Sequence, residues 1–197
     1  MTVLVGLTGG LAGGKSTVAG LFRDAGFRVV DADRLVADLY RLGELGAAVV
    51  AELFGLEALT AEGGVDHAVV AKRVFADAAA RRRLEQAIHP LVRRRFQEIA
   101  AAAEEAVVVL EATLLVEAGY ADDFDLVVTV EADPGTQVAR AWARGLSAAE
   151  ARRRLAAQGD GAARRARADR VIANDGTTEE LRERVESLLA ELRPQRR

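Results

Sequence analysis

Val3-Leu4-Val5-Gly6-Leu7-Thr8-Gly9-Gly10-Leu11-Ala12-Gly13-Gly14-Lys15-Ser16-Thr17 decides the reading of this chain. Residues 3–7 are a short apolar run rich in strand formers. Gly9 to Ser16 fits G-x-x-x-x-G-K-[ST], a loop whose backbone N–H groups cradle phosphate oxygens. Glycine suits such a loop because no Cβ blocks left-handed or strained backbone. Lys15 reaches the β- and γ-phosphates of a nucleotide, and the Ser16 hydroxyl is a ligand for Mg²⁺. Ala12-Gly13-Gly14-Lys15-Ser16-Thr17 is thus the nucleotide-binding segment, and the helix that opens there adds its positive dipole end. The context agrees. Val18, Leu21, Phe22 and Ala25 follow at i, i+3, i+4, i+7, one helix face, and Gly26 suits the helix end. A glycine-rich turn without a ligand is the plainer alternative, and it does not explain strand, loop and helix in this order.

Working outward, the chain has 27 Lys+Arg, yet only two are lysines, Lys15 and Lys72. An ammonium differs chemically from a guanidinium, so a lysine in the loop points to a site that needs that group. With 197 residues, half of them hydrophobic, one folded domain is expected. A net charge of -3 leaves no nucleic-acid footprint. There are no cysteines, which excludes a disulfide scaffold and a cysteine-ligated zinc site. No apolar run has the length of a membrane span and no export signal precedes the first strand, so a soluble cytoplasmic protein is expected, as a monomer or small homo-oligomer.

Phe27-Arg28-Val29-Val30 reads as a second strand ending at Asp31-Ala32-Asp33. Strand, helix and strand make a right-handed βαβ unit of a parallel sheet, whose ligands sit beyond the carboxyl ends of the strands. Asp31 and Asp33, two apart on an extended segment, share a face on that rim. One can accept a proton from a substrate hydroxyl. The competing reading is capping, with Asp33 at the start of a helix near Arg34. Residues 34 to about 105 read as mostly helical, with Asp66 and Asp77 as caps. One helix is expected to end at Ile88 and another to run from Leu91 to Ala103, with His89-Pro90 between them. Arg81 to Arg83 and Arg95 read as solvated. His89 and Arg93 are open between holding an anionic substrate and lying on a plain surface.

Ala106-Val107-Val108-Val109-Leu110 is a strand buried on both faces. Glu111 at its end makes a Walker-B-like pattern that places a carboxylate near Mg²⁺. Leu126 to Val130 is a fourth strand, and Asp133-Pro134 opens a helix carrying Arg140 and Arg144 one turn apart. Ser147-Ala148-Ala149-Glu150 is a capping box before a helix through Gln158. Gly145 and Gly159-Asp160-Gly161 flank that helix as hinges. An arginine-bearing helical hairpin between glycines is what a closing lid needs; a surface hairpin is the alternative. Val171-Ile172-Ala173 is a fifth strand, and Asn174-Asp175-Gly176 after it either packs on a nucleotide base or is a turn. Thr177-Thr178-Glu179-Glu180 caps the last helix, and Arg193 to Arg197 form a basic tail.

Over nearly its whole length the chain resembles the dephospho-CoA kinase family. The marks are Leu7-Thr8-Gly9-Gly10 running into the loop, Asp31-Ala32-Asp33, His89-Pro90-Leu91, Leu114-Leu115-Val116-Glu117, Ala156-Ala157-Gln158, and Ala168-Asp169 before Val171-Ile172 and Asn174. The resemblance implies an α/β, three-layer P-loop kinase fold with a five-stranded parallel sheet. It implies a core of about 1–34, 106–139 and 165–197, a helical insert at about 35–105 holding the CoA part, and a small helical lid at about 140–164. It implies ATP-dependent phosphorylation of the ribose 3′-hydroxyl of dephospho-CoA, with Mg²⁺. Asp33 is then the general base. Lys15 and Arg140 stabilise the transferring phosphoryl group, with Arg144 and Asn174 on the nucleotide, and Thr8, Asp31, His89, Arg93 and Leu115 are substrate contacts. Two segments depart from the family pattern: Ala12 takes a position usually held by glycine, and Glu111-Ala112-Thr113-Leu114-Leu115-Val116-Glu117 lacks the family's proline and aromatic.

The alternative is another small P-loop kinase acting on a nucleotide or metabolite. A guanine-nucleotide switch is excluded by its Asn-Lys-x-Asp requirement, since the two lysines here follow Gly14 and Ala71.

Overall fold

A computed structural model describes residues 2–159 and 161–193. In chain order these form β1 (Val3–Gly9), α1 (Lys15–Asp24), β2 (Arg28–Asp31), α2 (Ala32–Leu39), α3 (Leu45–Phe54), α4 (His67–Ala76) and α5 (Ala78–Ala101). They continue as β3 (Val107–Glu111), β4 (Leu126–Glu131), α6 (Pro134–Ala143), α7 (Ala148–Gln158), α8 (Ala162–Arg167), β5 (Arg170–Ala173) and α9 (Thr178–Leu192). The chain divides into two units, one of residues 1–30 and 103–197, the other of residues 31–102.

The first unit is built on a five-stranded parallel sheet in the order β2-β3-β1-β4-β5. β1 lies at its centre, paired in register with β3 (Leu7 opposite Glu111) and with β4 (Gly9 opposite Val130). All five residues of β3 are buried, as a strand covered on both faces requires. Side chains alternate along the strands. Val5, Leu7, Val107, Val109, Val128 and Val130 meet Val18 and Phe22 of α1 and Leu181, Val185 and Leu188 of α9 on one face. Val127 faces the other way, into a smaller cluster with Leu115 and Ala121. Three-layer order follows, and the strands end on one rim with the loop after β1.

The second unit is helical. Its axis is α5, whose buried residues Ala80, Leu84, Ile88, Val92, Phe96 and Ala100 recur every four positions against α2, α3 and α4. This stripe corrects the expected break at His89-Pro90. Pro90 lies inside one continuous helix. Proline there removes the bond to the Gln86 carbonyl and costs roughly 3 kcal/mol in a helix interior, but Pro90 is exposed and the apolar stripe is buried on both sides of it. Asp66 and Asp77 cap α4 and α5 as expected. At α2 the cap is Asp31, not Asp33: Asp31 Oδ1 accepts from the Asp33 N–H at 2.8 Å. Asp33 is helical, so the two carboxylates do not share a face of an extended segment. Arg95, expected in solvent, pairs with Glu44 at 3.2 Å.

Among the described residues no helix is long and apolar enough to cross a membrane. Asp160 of the expected hinge and residues 194–197 of the expected basic tail lie outside the described residues.

Candidate active site

The loop after β1 is a tight turn closed by the Gly13 N–H on the Gly10 carbonyl at 3.0 Å. Ala12 has φ 53, the one non-glycine residue at positive φ among those described. A left-handed alanine costs about 1–2 kcal/mol and persists where its surroundings over-determine it. Gly14 caps α1 at φ 104, and a Cβ there would fall 2.0 Å from Asn174 Nδ2, so no larger residue fits. The first turn of α1 carries no acidic residue, which leaves its positive end for an anion. Ser16 and Thr17 are exposed on that turn.

Lys15 Nζ lies 2.8 Å from Glu111 Oε1, and Arg23 reaches Glu111 Oε2 at 3.3 Å. The buried carboxylate at the end of β3 therefore seats the loop's lysine. Among the described residues no three His, Asp or Glu side chains cluster as a metal site. The donor set fits Mg²⁺ held mainly by phosphate oxygens with the Ser16 hydroxyl, the usual pattern for this ion on a nucleotide.

On the other side of the loop, Asn174 is buried at the end of β5. Its Nδ2 donates to the Gly13 carbonyl at 2.7 Å, and Arg140 Nη1 donates to the Asn174 carbonyl at 2.9 Å. Arg140, Arg144, Gly14, Thr17 and Asn174 border one cavity of about 120 Å³. The structure thus brings the loop, Lys15, Arg140, Arg144 and Asn174 together. It gives Asn174 a support role toward the loop that the turn reading did not contain.

Thr8 and Leu115, expected as substrate contacts, are both fully buried. Thr8 Oγ1 donates to the Thr113 carbonyl at 3.2 Å, and Leu115 fills the smaller core cluster. They support the segment after β3 from within rather than presenting a surface. In the helical unit, Asp33 is exposed on the first turn of α2. His89 is half-buried on α5, and burial pulls its pKa below the usual imidazole value against a smaller opposing pull from Glu85. Arg93 is exposed one turn further on.

Three supporting residues were not assigned a role from sequence. Gln158 Oε1 accepts from the Leu11 N–H at 2.8 Å. Gln137 and Arg164 stand against the loop, since a Cβ on Gly10 would come within 2.7 Å of Gln137 Nε2 and 3.2 Å of Arg164 Nη2. Arg164, only 4% exposed, bonds Glu131 at 3.2 Å and Glu117 at 3.1 Å. Burial alone would lower its pKa; the two glutamates outweigh this and raise it. The family mark Ala156-Ala157-Gln158 was a signal for Gln158. Nothing in the sequence separates Arg164 from Arg165 and Arg167 beside it. The capping box expected at Ser147 is only half formed: Ser147 Oγ accepts from the Glu150 N–H, while the Glu150 carboxylate pairs with Arg153 and Arg154 instead of returning to the cap. At Thr177 and Glu180 the box is complete.

A phosphate-binding loop at the centre of a parallel sheet, with arginines gathered around its helix, defines a phosphotransferase of the P-loop kinase fold. Comparison with known proteins narrows the class. The profile of the dephospho-CoA kinase family matches residues 3–180, and the chain belongs to that family. It is 44% identical to the dephospho-CoA kinase of Cutibacterium acnes over 93% of this chain and 82% of that one. Among solved structures it resembles the protein TT1252 from Thermus thermophilus (TM-score 0.83, 36% identity, 98% and 99% of the two chains covered). It also resembles dephospho-CoA kinase from Campylobacter jejuni (TM-score 0.72, 25% identity, 98% of each chain).

Proposed function

We propose that this chain transfers the γ-phosphoryl group of ATP to the ribose 3′-hydroxyl of dephospho-CoA, forming coenzyme A and ADP. The observation that carries the reading is the family match across residues 3–180 around an intact phosphate-binding loop. Lys15 and the loop N–H groups hold the β- and γ-phosphates, and Arg140 and Arg144 neutralise charge on the transferring group. Mg²⁺, with Ser16 as its protein ligand, would screen the charge between the phosphates. Glu111 sets the position of Lys15 by its ion pair. Asp33 takes the proton of the attacking hydroxyl. The helical unit holds the CoA part, with Asp31, His89 and Arg93 toward the acceptor, and the α6–α7 hairpin acts as the lid.

The test is ADP release with dephospho-CoA, AMP, GMP and shikimate as rival acceptors, with the product weighed by mass spectrometry. Turnover confined to dephospho-CoA, with one added phosphate, is expected. Turnover with another acceptor and none with dephospho-CoA would overturn the reading.

A further inference from the structure

Lys15, Ala19 and Arg23 recur every four residues and so share one face of α1. Ala19, between them, is small and fully buried. Lys15 and Arg23 start about 12 Å apart along the helix axis, yet their charges converge on one carboxylate. Lys15 Nζ meets Glu111 Oε1 at 2.8 Å, and Arg23 Nη2 meets Glu111 Oε2 at 3.3 Å. The two cations use different oxygens, so either can stay when the other leaves. Glu111 is buried at the end of β3. At that depth a carboxylate stripped of its partner is costly, and a second cation matters more than it does on the surface.

The ammonium of Lys15 is claimed twice. Glu111 holds it, and phosphoryl transfer requires it at the β- and γ-phosphates. With Lys15 as its sole cation, Glu111 would lose its charge partner each time Lys15 turned to phosphate, and nucleotide binding would weaken by that penalty. Arg23 lowers the penalty. Its guanidinium stays ionised throughout, and it sits in the last turn of α1, at the far end of the helix from the loop. We propose that Arg23 is a positioning residue for the phosphate site: it keeps Glu111 compensated and so releases Lys15 to the nucleotide. This deepens the reading of the loop as the ATP site and rests on it. The plainer role for Arg23, a cation near the negative end of its own helix, predicts an effect on stability and none on nucleotide affinity.

Two double-mutant cycles test the assignment. In the first, without nucleotide, Arg23→Met and Lys15→Met each leave Glu111 one cation and together leave it none. The double variant is expected to lose more in denaturant midpoint than the two single losses added; an additive result would overturn the assignment. In the second, calorimetry gives the dissociation constant for MgATP beside kcat with dephospho-CoA. Arg23→Met keeps an apolar stem and loses the charge; Arg23→Gln replaces it should the methionine variant not fold. It is expected to weaken MgATP binding about tenfold, the scale of a buried group left unpaired, with kcat changed less than about threefold. Glu111→Gln keeps an oxygen that accepts from Lys15 and removes the competing charge. It is expected to bind MgATP at least as tightly as the unmutated protein, and on that background the Arg23 change is expected to shift affinity less than about threefold. Unchanged affinity in the Arg23 variant, weaker binding in the Glu111 variant, or an equal Arg23 effect on both backgrounds would overturn the assignment alone. Unmutated protein that fails to bind MgATP would overturn both the assignment and the reading of the loop.

Discussion

Lys15 Nζ and Glu111 Oε1 stand 2.8 Å apart, with side-chain exposures of 15% and 6%. The loop's lysine, at the start of α1, is held by the end of β3, the strand beside β1. Breaking such a pair from one side leaves a buried charge and costs stability, whereas removing both partners costs far less. Lys15→Ala should abolish phosphoryl transfer, by at least about a thousandfold, and lower unfolding free energy by roughly 1–3 kcal/mol. Lys15→Met combined with Glu111→Leu should recover that stability and none of the activity. Denaturant melts beside turnover assays separate the two losses; an active double variant would remove Lys15 from the mechanism.

Asn174 serves two neighbours, the Gly13 carbonyl through Nδ2 and Arg140 through its own carbonyl and Oδ1. Asn174→Ala leaves the buried Gly13 carbonyl without its donor, a loss of about 1–3 kcal/mol. Asn174→Asp should be worse, since it sets a carboxylate oxygen against a carbonyl. KM for ATP should rise in the order wild type, alanine, aspartate. The reverse order of the two variants would mean that Asn174 acts through charge on Arg140 instead.

Leu115 is fully buried among Ala121 and Val127. Leu115→Ala should lower unfolding free energy by about 2–5 kcal/mol, with KM for dephospho-CoA within about twofold of wild type in the folded enzyme. A large rise in that KM without loss of stability would restore Leu115 as a substrate contact.

Asp33 is exposed at the start of α2 and makes no cap, so its replacement costs the fold little. Asp33→Asn should reduce kcat about a hundredfold or more, the range of a lost general base, and leave KM for ATP nearly unchanged. Parallel loss of ATP affinity would assign Asp33 to the metal instead.

His89 has its pKa lowered from the usual 6.5 by burial, with Glu85 opposing. The unfolded chain then binds this proton more readily than the folded one. The stability contributed by neutral His89 is complete above about pH 6.5 and is lost as pH falls through the folded-state value. Denaturant midpoints at pH 7, 6 and 5 should decline, and His89→Gln should flatten that decline. An unchanged slope in the variant would rule out His89 as its source.

Local rules carried much of the fold. The phosphate loop, the buried run of β3, and the caps at Asp66, Asp77, Asp133 and Thr177 each lie within a few residues of what they bond. The same rules failed where packing outweighed them. Pro90 signalled a break, and six buried residues of one stripe kept α5 whole. Asp31 took the cap expected of Asp33 because the helix starts two residues earlier than the sequence pattern placed it.

The sequence by itself determined that a lysine-bearing phosphate loop follows a buried strand, and the order of its marks pointed to one kinase family. Only the tertiary structure decided which side chains hold that loop in shape: Glu111 on Lys15, Asn174 on Gly13, Gln158 on Leu11. These pairs join positions 96, 161 and 147 residues apart. Helical and strand periodicities report faces within one element and say nothing of which distant polar group meets them. The parallel sheet brings those elements to one rim, and there the buried N–H, C=O and ammonium groups must each find a partner.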